Sequence, residues 1–130
     1  MKLLLDTPIF LWFISGDPRL PVCFRDSIRD PDNGVFLSVV SLWGAIIKFQ
    51  LGKLPLPESP ELYLPKQRER HLITSLPVDE SSVAKLAKLP LLHRDPLDRP
   101  LTCQTIRHGL MILTVDQAIQ AYPVSLMTIA

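Results

Sequence analysis

With 130 residues, the chain is long enough to bury roughly two thirds of the surface its unfolded form exposes, and it reads as a single domain over 1–130. Its 47% hydrophobic and 21% charged residues mark a globular chain. A formal net charge of +1 means that affinity for nucleic acid has to come from a local patch rather than from bulk positive charge. Cys23 and Cys103 form no CxxC pair, which fits reduced thiols better than a disulfide framework or a zinc site. The apolar start, Leu3 to Leu5 and then Ile9 to Ile14, imitates an export signal. Asp6 and Pro8 interrupt it, and no small-x-small cleavage site follows. No run approaches the ~20 apolar residues needed to span a bilayer, so the expected location is cytoplasmic, with no membrane partner.

Residues 2–5 predict a first strand. Thr7 can cap a helix that has Pro8 at its first position, where a missing N–H costs little, and that helix ends near Ser15-Gly16. Residues 21–30 predict a second helix, closed by the turn signal Asp30-Pro31-Asp32-Asn33-Gly34. A β-branched strand over 35–39 follows. Ser41 is placed to cap a helix running through Gln50 and stopped by Gly52. Four prolines between Leu54 and Pro65 predict a loop plus a broken or kinked helix running on into Lys66 to Arg70. Further on come a strand over 72–76, a short helix over 79–88, a helix over 95–107, a strand over 110–113 and an edge strand over 124–126. Strands separated by helices predict an α/β fold, with a central parallel sheet of four to five strands and helices on both faces.

In such a sheet, ligands collect outside the carboxyl ends of the strands, and aspartates stand there. The first strand runs into Asp6-Thr7, and Leu110 to Leu113 runs into Thr114-Val115-Asp116. Asp95-Pro96-Leu97-Asp98-Arg99 opens the helix between them. Carboxylates gathered in one crevice repel one another unless a hard divalent cation holds them, and all-oxygen sites suit Mg²⁺ or Mn²⁺. This pattern points to metal-dependent phosphodiester chemistry. Each acid also has a local role open to it: Asp95 or Asp116 can cap a helix, Asp98 can face a helix dipole, and Asp6 can be a turn residue. Arg94 and Arg99 flank the acidic helix start, and Lys48, Lys53, Lys66, Arg68 and Arg70 are available as a phosphate-binding stripe. No Gly-rich turn follows the first strand and no P-loop occurs, which removes nucleotide-binding enzymes of the same layer architecture.

Asp6-Thr7, Ser41-Leu42-Trp43-Gly44-Ala45-Ile46-Ile47-Lys48, His93-Arg94-Asp95-Pro96-Leu97-Asp98-Arg99 and Leu113-Thr114-Val115-Asp116 together resemble a PIN domain, in the order and spacing of the VapC-type toxins of type II toxin-antitoxin systems. The resemblance implies an endoribonuclease that cleaves single-stranded RNA with Mg²⁺ or Mn²⁺. Asp6, Asp98 and Asp116 match the family's catalytic and metal-binding acids, and Thr7, Asp95 and Thr114 stand as supporting neighbours. It also implies a VapB-like antitoxin as partner and a homodimer. Three positions depart from the pattern. Gly44 stands where the family carries a glutamate, Pro8 where it usually has a histidine, and Pro100 where an apolar residue usually follows Asp-Arg. Gly44 removes one carboxylate, so the alternative is a catalytically silent PIN domain that keeps antitoxin binding or dimerisation without cutting RNA.

Overall fold

The computed structural model describes residues 1–89 and 97–127. Five short strands form one parallel sheet in the order β3-β2-β1-β4-β5: β1 (Lys2–Leu5), β2 (Gly34–Ser38), β3 (Thr74–Leu76), β4 (Met111–Leu113) and β5 (Ser125–Leu126). The central strand β1 sets Leu3 opposite both Val35 and Met111, and Leu4 opposite both Phe36 and Ile112. Period-two alternation then divides its side chains between two cores. Leu3 and Leu5 join Ile9, Phe10, Phe24, Val35, Leu37 and Leu64 on one face. Leu4 joins Val40, Leu101 and Leu110 on the other. Residues 3 to 5 are fully buried on both sides, as a central parallel strand covered by helices requires.

The helices are α1 (Thr7–Ser15), α2 (Val22–Arg29), α3 (Val39–Gln50), α4 (Pro60–Arg70), α5 (Glu80–Ala84), α6 (Asp98–Arg107) and α7 (Gln117–Gln120), with a 3-10 turn over Lys85–Lys88. Two caps differ from the sequence expectation. Asp6, not Thr7, caps α1 by accepting from the Thr7 N–H at 2.9 Å, and Pro8 becomes the second helical residue. Ser38, not Ser41, caps α3: its Oγ accepts from the Val40 N–H at 3.0 Å and donates to Gln104 Oε1 at 2.6 Å. Ser41 lies inside the helix, buried, with its hydroxyl unpaired among the described residues. The helix thus starts three residues earlier than expected, because a buried cap tied to α6 outweighs the local signal at Ser41. Of the broken or kinked helix expected here, the break does not occur: α4 stays helical through Pro65. Asp95, expected to cap α6, and Arg94 lie outside the described residues. Within them, α6 opens at Asp98 with Leu97 at its cap position.

Candidate active site

The parallel topology brings the carboxyl ends of β1 and β4 side by side, since Leu5 pairs with Leu113 and the Asp6 N–H donates to the Leu113 carbonyl at 3.0 Å. The two chain segments that leave these strands are joined by one side chain. Thr114 Oγ1 donates to Asp6 Oδ2 at 2.7 Å and accepts from the Asp116 N–H at 3.0 Å. Asp116 in turn caps α7 by accepting from the Ala118 N–H at 2.9 Å. The capping roles of Asp6 and Asp116 are therefore real, Oδ1 of each accepting from the backbone N–H of the helix it starts.

Asp6 is 3% exposed. Burial pushes its carboxyl above the usual range. The bonds from Thr114 and the Thr7 N–H pull it back down, the negative charge of Asp116 pushes up, and Lys48 pulls down. Asp6, Asp98 and Asp116 all line one cavity of about 640 Å³, together with Thr7, Pro8, Gly44, Lys48, Lys53, Leu97 and Pro100. The remaining wall is apolar, built from Val40, Trp43, Ile47, Leu51 and Leu101. Trp43 and Ile47 on α3, and Leu51 just past its end, recur every four residues and stay exposed while lining the cavity. No expectation drawn from the sequence included that apolar wall. Its four-residue period was the available signal.

Gly44 faces this cavity on α3, and Leu97 stands close to the space a side chain there would take: a β-carbon built on Gly44 would come within 3.2 Å of Leu97 Cδ1. Arg99 is turned away. Its Nη2 donates to the carbonyls of Leu86 (3.1 Å) and Leu89 (3.2 Å), so it ties the 3-10 turn to α6 instead of lining the cavity. The expected cationic stripe is divided as well. Lys48 and Lys53 line the cavity, whereas Lys66 pairs with Glu58 at 3.1 Å and Arg70 lies at the other end of the sheet.

The donor chemistry suits a hard cation, since every acid present offers oxygen only and Asp6 and Asp116 repel each other across Thr114. Among the described residues, however, no three His, Cys, Asp or Glu side chains are gathered closely enough to hold an ion together. What fits is a cation that keeps much of its water and takes one or two carboxylates, which is how Mg²⁺ usually binds.

Comparison with known proteins agrees with this architecture. The PIN domain family model matches residues 3–124. Ribonuclease VapC16 of Mycobacterium tuberculosis (strain ATCC 25618 / H37Rv) is 37% identical over 60 residues, which is 46% of this chain and 43% of that protein, so the match spans less than half of that relative. Among solved structures, VapBC2 from Rickettsia felis, bound to a DNA fragment from its promoter, superposes with a TM-score of 0.74 at 15% identity, covering 98% of each chain. FitAcB from Neisseria gonorrhoeae does so with a TM-score of 0.64 at 20% identity, covering 97% of this chain and 96% of that one. At these identities the two structures speak for the fold. The family model, matched from the first strand to the segment entering β5, decides membership: the chain belongs to the PIN domain family.

Proposed function

We propose that this protein is the toxin of a toxin-antitoxin pair, a ribonuclease that cleaves single-stranded RNA with Mg²⁺ or Mn²⁺. The observation that carries the reading is the convergence of Asp6, Asp98 and Asp116, from three separate elements, on one cavity at the carboxyl ends of the strands. Asp6 and Asp116 would hold the cation, with Thr114 fixing the spacing between them. When bound, a divalent cation lowers the pKa of a water and offsets charge on a phosphodiester. Lys48 and Lys53, on the same cavity, meet the RNA backbone, and the apolar wall of α3 excludes water from the strand that lies across it. Asp98, at the first turn of α6, adds negative charge to the opposite rim. Similarity to VapC16 and to the VapBC2 complex supports a VapB-like antitoxin as partner, and a homodimer is the proposed assembly of this chain.

A specific observation favours a second reading, in which the fold persists as an antitoxin-binding module without cleavage. Gly44 has no carboxylate to contribute, and Leu97 occupies the room beside it. The test is cleavage of labelled single-stranded RNA in Mn²⁺ or Mg²⁺ by the natural chain, by Asp98→Asn and by Gly44→Glu, each with a chelator control. Metal-dependent cutting by the natural chain that Asp98→Asn abolishes establishes the first reading. Cutting by Gly44→Glu alone establishes the second.

A further inference from the structure

A second cavity, of about 420 Å³, lies at the opposite end of the sheet, where α2 and α4 run out and β2 and β3 begin. Arg29 is the last residue of α2 and Arg70 the last of α4, and both line it beside His71. Among the described residues, neither arginine forms a salt bridge. Burial is the largest cause that holds the His71 imidazole below the usual range, and both arginines are close enough for their charges to add to it. Asp30 is the acid of the lining, and its Oδ1 already accepts from the Asp32 N–H at 2.9 Å. The lining thus carries two arginines and one partly engaged carboxylate.

The remaining wall is aromatic and apolar. Phe13 meets the His71 ring edge-on, with centroids 5.0 Å apart and planes at 68°. Ile28 and Val35 lie buried behind them, and Pro31 and Leu72 close the sides. Leu72 is 89% exposed and holds a left-handed φ of 57°, a combination that costs free energy and persists only where surrounding structure imposes it. An arginine at the end of a helix offsets the helix dipole, but that role does not require two helix ends to converge on one cavity. Both arginines line one cavity, and the pair matches one phosphate group better than a running strand. The volume lies within the ~300–1,000 Å³ of small-ligand sites and exceeds what a bare anion fills.

We propose that this cavity binds a nucleoside monophosphate, with its phosphate between Arg29 and Arg70 and its base against Phe13, His71 and Leu72. The site is separate from the acidic cavity and independent of whether that cavity cleaves RNA. The test is calorimetric titration of the full chain with adenosine monophosphate, with inorganic phosphate and with a single-stranded oligonucleotide lacking terminal phosphates, alongside NMR of the His71 imidazole. The expected result is saturable binding of the nucleotide at least tenfold tighter than phosphate, a shift of the His71 resonance, and at least a tenfold loss in the Arg29→Gln/Arg70→Gln variant. Both arginines are exposed, so this variant should keep its fold, which its circular dichroism reports. Asp98→Asn should bind as the natural chain does. Absence of nucleotide binding, binding that survives loss of both arginines, binding lost in Asp98→Asn, or binding of the oligonucleotide alone would each overturn the proposal.

Discussion

Leu97 packs against the α-carbon of Gly44, its Cδ1 only 3.2 Å from where a β-carbon would stand. This contact joins α3 to the segment entering α6 across the acidic cavity. Glycine inside a helix costs roughly 1 kcal/mol relative to alanine, so a side chain at position 44 brings a gain that displacement of Leu97 offsets. The clashing atom is the end of a flexible side chain, which can turn aside. Gly44→Glu is therefore expected to change stability by no more than about 1 kcal/mol, and to gain when combined with Leu97→Ala relative to Leu97→Ala alone. Urea denaturation of the four species checks this. A loss beyond about 2 kcal/mol in Gly44→Glu would mean that Leu97 cannot yield.

Thr114 is the hinge of the acidic pair, since its hydroxyl serves Asp6 and the Asp116 N–H at once. Thr114→Val keeps the shape, but leaves a buried carboxylate oxygen and a backbone N–H short of partners, at a cost of about 1–3 kcal/mol. Thr114→Ser should recover most of that. Thermal unfolding of both variants decides the matter, and equal melting of the valine variant and the natural chain would show the bond to be dispensable. Removing the bond also takes away a principal influence that holds the Asp6 carboxyl down, so its titration should move further upward.

Leu72 closes the turn after α4: its N–H donates to the Glu69 carbonyl at 3.1 Å, while Ile73 donates to Arg68 at 3.0 Å. This terminus normally takes glycine at the left-handed position. Leu72→Gly should stabilise the chain by about 0.5–1 kcal/mol, relief of the left-handed strain exceeding the added freedom of the unfolded state. Chemical denaturation measures it. Destabilisation would show that the exposed side chain makes a contact worth more than its strain.

His71 gives the chain a pH dependence whose sign follows from its neighbours. Burial and the charges of Arg70 and Arg29 hold its folded pKa below the 6.5 of the free side chain, so the folded state resists protonation. Between the two values the unfolded chain binds more protons, and stability rises with pH. The contribution is complete above about pH 6.5 and is lost as pH falls through the folded value. Melting temperature measured from pH 7.5 down to 5 should fall less steeply in His71→Gln than in the natural chain. Parallel curves would remove His71 from the account.

Mn²⁺ should stabilise the chain through the same acids proposed to hold it. At a hundred times its dissociation constant, a cation bound only by the folded state adds about 2.7 kcal/mol. Asp116→Asn is expected to abolish most of that shift, and Gly44→Glu to bring it on at lower metal concentration. A shift of equal size in all three chains would place the ion elsewhere.

Much of the fold was written in local order. The run of leucines from Leu3 to Leu5 has no polar face, which only a strand covered on both sides tolerates, and the alternation of strands with helical stretches required a parallel sheet. The positions of Asp6 and Asp116 just beyond two such strands followed from the same pattern. What remained hidden depended on partners distant in sequence. Ser38 outcompeted Ser41 as the cap of α3 because Gln104, 66 residues away, completes its hydrogen bonding. Arg99 turned from the cavity because the carbonyls of Leu86 and Leu89 come within its reach. Leu97 could fill the space at Gly44, and Arg29 could meet Arg70, only after the chain had packed, since periodicity records which face a residue takes but not which residue it will face.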